Sequence, residues 1–129
     1  MKQNIRSLYI AQNAKKAQRS YMKHLQNHKE FLEFLRSNKR TLTYFFSNSC
    51  IKCKEFSNEL EKVDRFCFVE KIEFCKVNIY DDLVLNSLFK EYGVPTFIVF
   101  EGDQDGKEIP YPKEGYTAEY IINYMRNYE

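Results

Sequence analysis

The sequence predicts one α/β domain, with a mixed central sheet and helices on both faces of that sheet. Three observations favour this fold: β-rich apolar runs alternate with segments of helical spacing, a glycine-rich turn follows the last long run, and neither a linker nor a repeat divides the 129 residues. Strands that alternate with helices and end in a hairpin describe such a layered domain. The length suits a single hydrophobic core.

The first half of the domain is predicted as strand, helix, strand and helix. Tyr21–Leu25 is a short strand, and the helix after it covers about residues 29–36, with Asn27 as its cap. Thr41–Phe46 is β-rich and carries no charge, which is typical of a strand covered on both faces. A sharp turn and a second helix follow, because apolar residues recur at helical spacing at Phe56, Leu60, Val63 and Phe66 or Cys67.

The second half begins with a strand over Ile72–Ile79 and a helix over about residues 82–92, whose two leading acids suit a helix N-terminus. Thr96–Phe100 is strongly β-forming, and the turn at residues 102–106 leads back into a short strand at Lys107–Tyr111. Prolines within and just after this last strand predict that it lies at an edge of the sheet.

The two ends of the chain are predicted to be helical. Thr117 caps a last amphipathic helix, which runs through Ile121, Ile122 and Met125. Residues 1–20 form a basic N-terminal extension with helix-favouring composition and a short apolar stripe at Ile5, Leu8 and Tyr9. The predicted organisation is therefore an extension over residues 1–20 and a domain over residues 21–129.

Charge is unevenly distributed along the chain. Residues 1–29 contain seven Lys or Arg and no acid, whereas residues 30–129 contain eighteen acids and thirteen bases. Scattered bases without an aromatic ladder or a phosphate-binding loop favour a solvated helix over nucleic-acid binding. Anionic lipid, a protein partner or an organelle import receptor would also recognise such a charge.

The composition points to the cytoplasm. The segment Ile5–Ala11 is interrupted by polar residues, so it is not the apolar run of a secretory signal, and no stretch approaches the ~18 apolar residues of a membrane span. Four unequally spaced cysteines do not make a disulfide-dense scaffold, which indicates a reducing compartment. We expect a cytoplasmic monomer that does not bind membranes, with an imported organelle as the alternative location.

Cys50 and Cys53 lie where the uncharged strand meets a helix. The N-terminus of a helix favours an anion, so Cys50 is the candidate nucleophile, which attacks a disulfide as the thiolate. Cys53, about one turn further along, resolves the mixed disulfide and leaves both sulfurs oxidised. Lys52 and Lys54 add positive charge that favours the thiolate. The pair therefore predicts a redox-active dithiol that works without a further cofactor.

Zinc binding and inert packing are the alternative interpretations of the four cysteines. Zinc would need Cys67 and Cys75, whose spacing lacks the tightness of a metal knuckle. The phenylalanines around these two cysteines predict buried, reduced thiols instead. His24 and His28 fall on different predicted elements, so no metal site is expected there or elsewhere.

Four segments together carry a family signature. Cys50–Lys54 reads Cys-x-x-Cys-Lys, Leu42–Phe46 is the strand that precedes it, Lys76–Ile79 is the following strand, and Gly93–Thr96 contains Val-Pro-Thr. These motifs resemble those of thioredoxins and of the catalytic domains of protein disulfide isomerases, over about Tyr21–Tyr128. The resemblance implies a thioredoxin-like three-layer fold and exchange of disulfides with protein substrates.

The resemblance also implies residue roles. Pro95 is expected to follow a cis peptide bond beside the dithiol, and the backbone at Val94 to pair with an extended substrate segment. Ile51 and Thr96 are the further implied substrate contacts. Lys76 corresponds to a lysine that modulates proton transfer at the second cysteine. The implied partners are protein disulfides or dithiols, and a reductase or oxidant that resets the dithiol.

Four positions depart from the family pattern. Ser49 and Ile51 replace an aromatic residue and a glycine, so substrate contacts around Cys50 should differ. Tyr44 stands where the family has a buried Asp or Glu; with an ordinary pKa near 10, it is expected to pack in the core rather than to relay protons. Asn58 replaces a proline that kinks the active-site helix, which predicts a straighter helix.

Two classes of function follow from these features. The complete motif set favours a thiol–disulfide oxidoreductase. The missing carboxylate, the missing glycine and the basic extension favour instead a redox-inactive or weakly active module that binds extended peptides. Reductase, oxidase and isomerase are not distinguished, because direction depends on the reduction potential and on the resetting partner.

Overall fold

Five strands form one mixed sheet at the centre of the domain. The computed structural model describes residues 21–128, so the predicted helix over residues 1–20 lies outside the described residues. In chain order the strands are β1 (Lys23–Leu25), β2 (Arg40–Phe46), β3 (Glu73–Asn78), β4 (Thr96–Glu101) and β5 (Lys107–Ile109). Their order across the sheet is β1-β3-β2-β4-β5, in which the first two pairs are parallel and the last two antiparallel. The predicted mixed sheet is confirmed.

Helices cover both faces of this sheet, which confirms the predicted three layers. In chain order they are α1 (His28–Arg36), α2 (Ile51–Glu55), α3 (Ser57–Glu70), α4 (Leu83–Phe89) and α5 (Ala118–Arg126). One core cluster joins α3 and α5 to the sheet through residues such as Val63 and Ile121. The other joins α1 and α4 to the opposite face through Phe31 and Leu85. Within residues 21–128, no helix is both long enough and apolar enough to cross a membrane.

Strand β2 is the central strand of the sheet and is covered on both faces. Its residues from Thr41 to Phe45 are buried, and it pairs with β3 on one side and with β4 on the other. Alternate side chains serve the two layers, since Leu42 belongs to one core cluster and Phe45 to the other. Burial of an ionised side chain is costly, which explains why Thr41–Phe46 contains no charged residue and why Arg40 lies at the partly exposed start of the strand.

The predicted helix caps are present. The side chains of Asn27 and Thr117 accept hydrogen bonds from the amides of Glu30 and Tyr120, and so begin α1 and α5. Asp82, predicted as an acid of the first turn, is itself the cap of α4 and accepts from the Leu85 amide. The strand bounds lie within two residues of the predicted ones. Strand β5 ends before Pro110 because proline has no N–H with which to continue the ladder.

Two helix predictions are wrong. The helix predicted to reach residue 92 ends at Phe89 and passes into a 3₁₀ turn at Lys90–Tyr92. The active-site helix is not straight, because it is interrupted at Phe56, between α2 and α3. The Phe56 ring is buried against Tyr44, so core packing holds the chain at this point and the interruption does not require a proline.

The side chain of Asp82 links the N-terminus of α1 to that of α4. One carboxylate oxygen of Asp82 accepts from the His28 amide and lies 2.9 Å from the ring nitrogen Nδ1, while the other caps the Leu85 amide. The hydrogen bond from the His28 ring, followed by the two amide hydrogen bonds, holds the pKa of the Asp82 carboxyl well below its usual range.

We expect Asp82→Asn to lower the melting temperature at pH 7 by a few degrees. Because the folded-state pKa of Asp82 is depressed, its stabilisation is present above the ordinary carboxyl pKa of about 4 and is lost as pH falls through the folded-state pKa. Thermal melts at pH values from about 7 to 2 should show the gap between wild type and variant closing at the acid end. The exposed neighbour Asp81→Asn is the control, and a gap that does not change with pH contradicts the prediction.

Candidate active site

The dithiol lies directly after the end of β2. Ser47 is buried at that end, and its carbonyl accepts from the Cys50 amide at 3.3 Å, which closes the turn into α2. Cys50 is the N-cap of α2, and Cys53 lies one turn inside it. The two cysteines form a disulfide with a Cα–Cα distance of 5.2 Å.

The two sulfurs occupy different environments. Cys50 is half-buried, whereas only 8% of Cys53 is exposed. The amide of Cys53 donates to the Sγ atom of Cys50 at 3.1 Å. An amide directed at this sulfur stabilises negative charge on it, so the geometry favours a thiolate at the more accessible of the two cysteines.

The proline loop borders the same end of the sheet. Strand β4 begins at Thr96, beside Phe45 near the end of β2, so Pro95 lies next to the turn that carries the dithiol. The Val94–Pro95 peptide bond is cis. The Thr96 hydroxyl donates to the carbonyls of Gly93 at 2.8 Å and Tyr92 at 3.3 Å, which holds the loop in place.

A cleft of about 200 Å³ connects the active-site helix to the proline loop. Its walls include Lys52 and Pro95, which the sequence separates by more than forty residues, together with Tyr111 and Glu114 from the opposite side. Ile51 is the first residue of α2 and is 71% exposed. Val94 faces away from the cleft and packs against the core cluster of α1 and α4.

The three lysines of the predicted site differ in their surroundings. The Nζ atom of Lys52 lies 3.4 Å from Oε2 of Glu55, so an acid on the same helix partly offsets its charge. Lys54 is exposed to solvent. Lys76 is placed opposite Tyr44 in the sheet register, with Nζ 5.5 Å from the centre of the Phe46 ring. Their influence on the dithiol stays a prediction.

Tyr44 packs within the core, as its phenol chemistry suggested. It is 2% exposed, and its ring stacks on Phe97 with a centroid distance of 4.8 Å. Burial raises the pKa of Tyr44 to about 12. A phenol with this pKa is protonated at neutral pH and does not act as a base there, so this position cannot take up a proton as a carboxylate would.

Asp64 is a buried carboxylate that sequence patterns did not identify. It is 3% exposed, its Oδ1 atom has no hydrogen-bond partner among residues 21–128, and burial raises its pKa. It follows Cys53 by eleven residues, or about 16 Å along a helix, so it does not replace the missing carboxylate beside the dithiol. Helical spacing could have indicated its burial, because Asp64 lies four residues after Leu60 and three before Cys67, on the buried face of α3.

Cys67 and Cys75 are buried free thiols, as predicted. They belong to different core clusters, Cys67 to that of α3 and Cys75 to that of α1 and α4. Burial raises the pKa of both thiols, that of Cys75 to about 12. The four sulfurs are thus not gathered at one point, and the described residues contain no cluster of three potential metal ligands.

We expect thiol labelling to divide the four cysteines into two pairs. After reduction of the native protein, two thiols should react rapidly with a chromogenic disulfide, and the other two only on unfolding, because buried thiols of raised pKa form little thiolate. Cys67→Ser and Cys75→Ser should leave the rapid phase unchanged, whereas Cys50→Ser should reduce it. Rapid labelling of more than two thiols in the folded protein would contradict this assignment.

Comparison with known proteins identifies the family. A protein-family model described as Thioredoxin matches residues 22–127. A Fasciola hepatica thioredoxin is 15% identical, with a TM-score of 0.69, and the alignment covers 84% of this chain and 100% of that one. The first thioredoxin domain of mouse protein disulfide-isomerase A4 is 24% identical, with a TM-score of 0.66 and coverage of 80% of this chain and 71% of that one.

A mutant thioredoxin from Halobacterium salinarum gives a similar result, with 17% identity, a TM-score of 0.67 and coverage of 82% of this chain and 88% of that one. No curated protein sequence matches the chain significantly. Likenesses of such low identity show the fold, and the Cys50–Cys53 pair on this fold supports thiol–disulfide oxidoreductase chemistry in general. Because the family model matches about four fifths of the chain, the protein belongs to the thioredoxin family.

Proposed function

We propose that the protein exchanges disulfides with protein substrates, with Cys50 as the attacking and Cys53 as the resolving cysteine. The observation that carries this proposal is the asymmetry of the pair. Cys50 is the more accessible sulfur and receives the Cys53 amide, whereas Cys53 is buried beneath it. An accessible stabilised thiolate followed by a shielded second thiol is the arrangement that two-step exchange requires.

The exchange proceeds in two steps, each of which breaks one disulfide bond and forms another. The Cys50 thiolate attacks a substrate disulfide, forms a mixed disulfide, and releases the first substrate sulfur as a thiolate that takes up a proton. Cys53 then loses its proton and attacks Cys50, which forms the intramolecular disulfide and releases the second substrate thiol. Two electrons pass to the substrate. A dithiol reductant must supply two electrons for the next cycle. In the reverse direction a substrate dithiol reduces the Cys50–Cys53 disulfide, and a disulfide oxidant then takes the two electrons from the enzyme.

The proline loop is the proposed contact for substrate backbone. Thr96 holds the loop through two carbonyls, so the peptide at Val94 and Pro95 presents a preorganised edge to an extended segment. Ile51, exposed beside Cys50, adds apolar contact where the family pattern has glycine. The proposed substrates are therefore extended polypeptide segments around a disulfide, and the proposed compartment is a reducing one, in which a reductase resets the dithiol.

The resolving step lacks a buried base. Tyr44 occupies the position at which the family pattern has a carboxylate. Its raised pKa prevents it from accepting the Cys53 proton at neutral pH. Water in the cleft is the proposed acceptor. This feature also favours the second candidate function, a weakly active module that retains its peptide partners, because slow resolution prolongs the mixed disulfide.

We expect the protein to accelerate reduction of insulin disulfides by dithiothreitol. Cys50→Ser should return the rate to that of dithiothreitol alone, because the nucleophile is lost. Cys53→Ser should accumulate mixed disulfides, which gel electrophoresis without reductant resolves. Cys67→Ser is the matched control and should behave as wild type. An inert wild type, together with peptide binding by the Cys50→Ser, Cys53→Ser double variant, would replace the enzyme by the binding module.

We expect Tyr44→Phe to leave the rate of insulin reduction within about twofold of wild type, because the phenol packs and does not relay protons. The pH profile of the rate should likewise be unchanged. A proton relay through Tyr44 would instead cost about a hundredfold in rate on removal of the hydroxyl. Tyr44→Leu, which removes the stacked ring, separates packing from chemistry through its lower melting temperature.

A further inference from the structure

A second cavity lies on the face of the sheet that α1 and α4 cover. This groove, which we call the α1–α4 groove, has a volume of about 520 Å³ and contains neither cysteine of the dithiol among its lining residues. Its apolar lining includes Ile98 and Phe100 from β4, Leu32 from α1, and Val84 and Leu88 from α4. The turn before β5 closes one side. Gly106 in that turn lies so close to Ile98 and Phe100 that a Cβ atom there would collide with both.

Helix α4 exposes an unusually large apolar surface to solvent. Its seven residues contain no charge, and of these only Leu85 is fully buried. Leu83 is 90% exposed and Leu88 is 61% exposed. Tyr92, on the turn after α4, is also exposed and lines the groove. Contiguous exposed apolar side chains beside an apolar groove are typical of a surface that another segment covers.

The rim of the groove is acidic. Asp103 and Asp105 lie on the turn before β5, and both line the groove. Asp103 is paired with Arg36 at 3.1 Å, whereas Asp105 has no ion-pair partner among residues 21–128. A segment that matches this surface therefore carries apolar side chains on one side and positive charge beside them.

The chain itself contains a segment of this chemistry. Residues 1–20 have Ile5, Leu8 and Tyr9 at the i, i+3, i+4 spacing of one helix face, and no acid among five bases, which are Lys2, Arg6, Lys15, Lys16 and Arg19. The twelve residues from Tyr9 to Tyr21 can span up to about 40 Å. This length suffices to pass around the β1 edge of a domain whose radius of gyration is about 13 Å.

We propose that residues 1–20 bind in the α1–α4 groove of the same chain, with Ile5, Leu8 and Tyr9 against its apolar floor and basic side chains near Asp105. The bound segment covers α4 and leaves the dithiol free. It also reaches the proline loop indirectly, because Tyr92 lines the groove while its carbonyl accepts from the Thr96 hydroxyl. This proposal does not depend on the redox function.

Hydrogen exchange of the full-length chain tests the docking. The double variant Ile5→Ser, Leu8→Ser removes the apolar anchors. Gln3→Ser, Gln18→Ser is the control, because both positions lie on the opposite helix face from the stripe. Amides of residues 83–92 should exchange at least about threefold faster in the apolar variant and at the wild-type rate in the control, while β2 amides stay unchanged in both. Asp105→Lys should have the same effect as the apolar variant, and the exposed Glu119→Lys should have none.

Two results would overturn the proposal. One is an exchange rate over residues 83–92 that is the same in the wild type and in the apolar variant, which would mean that the extension does not cover α4. The other is protection that rises with protein concentration from about 5 to 100 µM, which would assign the groove to a second copy of the chain. Protection that is independent of concentration and lost in both the apolar and the Asp105→Lys variants supports the intramolecular contact.

Discussion

Enclosure of strand β2 is the constraint on which the rest of the structure depends. The strand is paired on both edges and covered on both faces, so its position leaves almost no freedom. Its C-terminal end therefore supplies a rigid base for the turn that carries Cys50. The same register brings the start of β4 beside it, which places the proline loop next to the dithiol. A reactive sulfur and its neighbouring loop are thus positioned by backbone hydrogen bonds, which are far stiffer than contacts between exposed loops.

The aromatic core explains how this domain does without features that the family pattern contains. Phe56 anchors the interruption of the active-site helix through its ring, where the pattern relies on proline. Tyr44 fills the space beside it, where the pattern has a carboxylate. Asn58, at the position of that proline, is exposed and adds nothing to the core, so at both places buried aromatic rings provide the packing, which stabilises the fold without supplying a base. The aromatic ring at position 44 therefore stabilises the core but supplies no base for the resolving step of the exchange that we propose.

The two faces of the sheet carry different cavities. The cleft that holds Lys52 and Pro95 is small and polar, next to the dithiol, whereas the α1–α4 groove is larger and mostly apolar. Helix α4 and the turn after it lie between the two, because they carry groove residues at one end and lead into the proline loop at the other. The same segment therefore contributes to both surfaces.

The sequence by itself determined the order of strands and helices, the caps at Asn27 and Thr117, the acidic start of α4, and the place of the dithiol. Each of these depends on residues close together in the chain, through spacing, turn chemistry or the local N-terminus of a helix. Only the tertiary structure showed which of the two sulfurs is more accessible and that Asp64 is buried. It also revealed the interruption of the active-site helix at Phe56 and the α1–α4 groove. These features depend on which distant side chains meet across the sheet, and local spacing carries no information about such contacts.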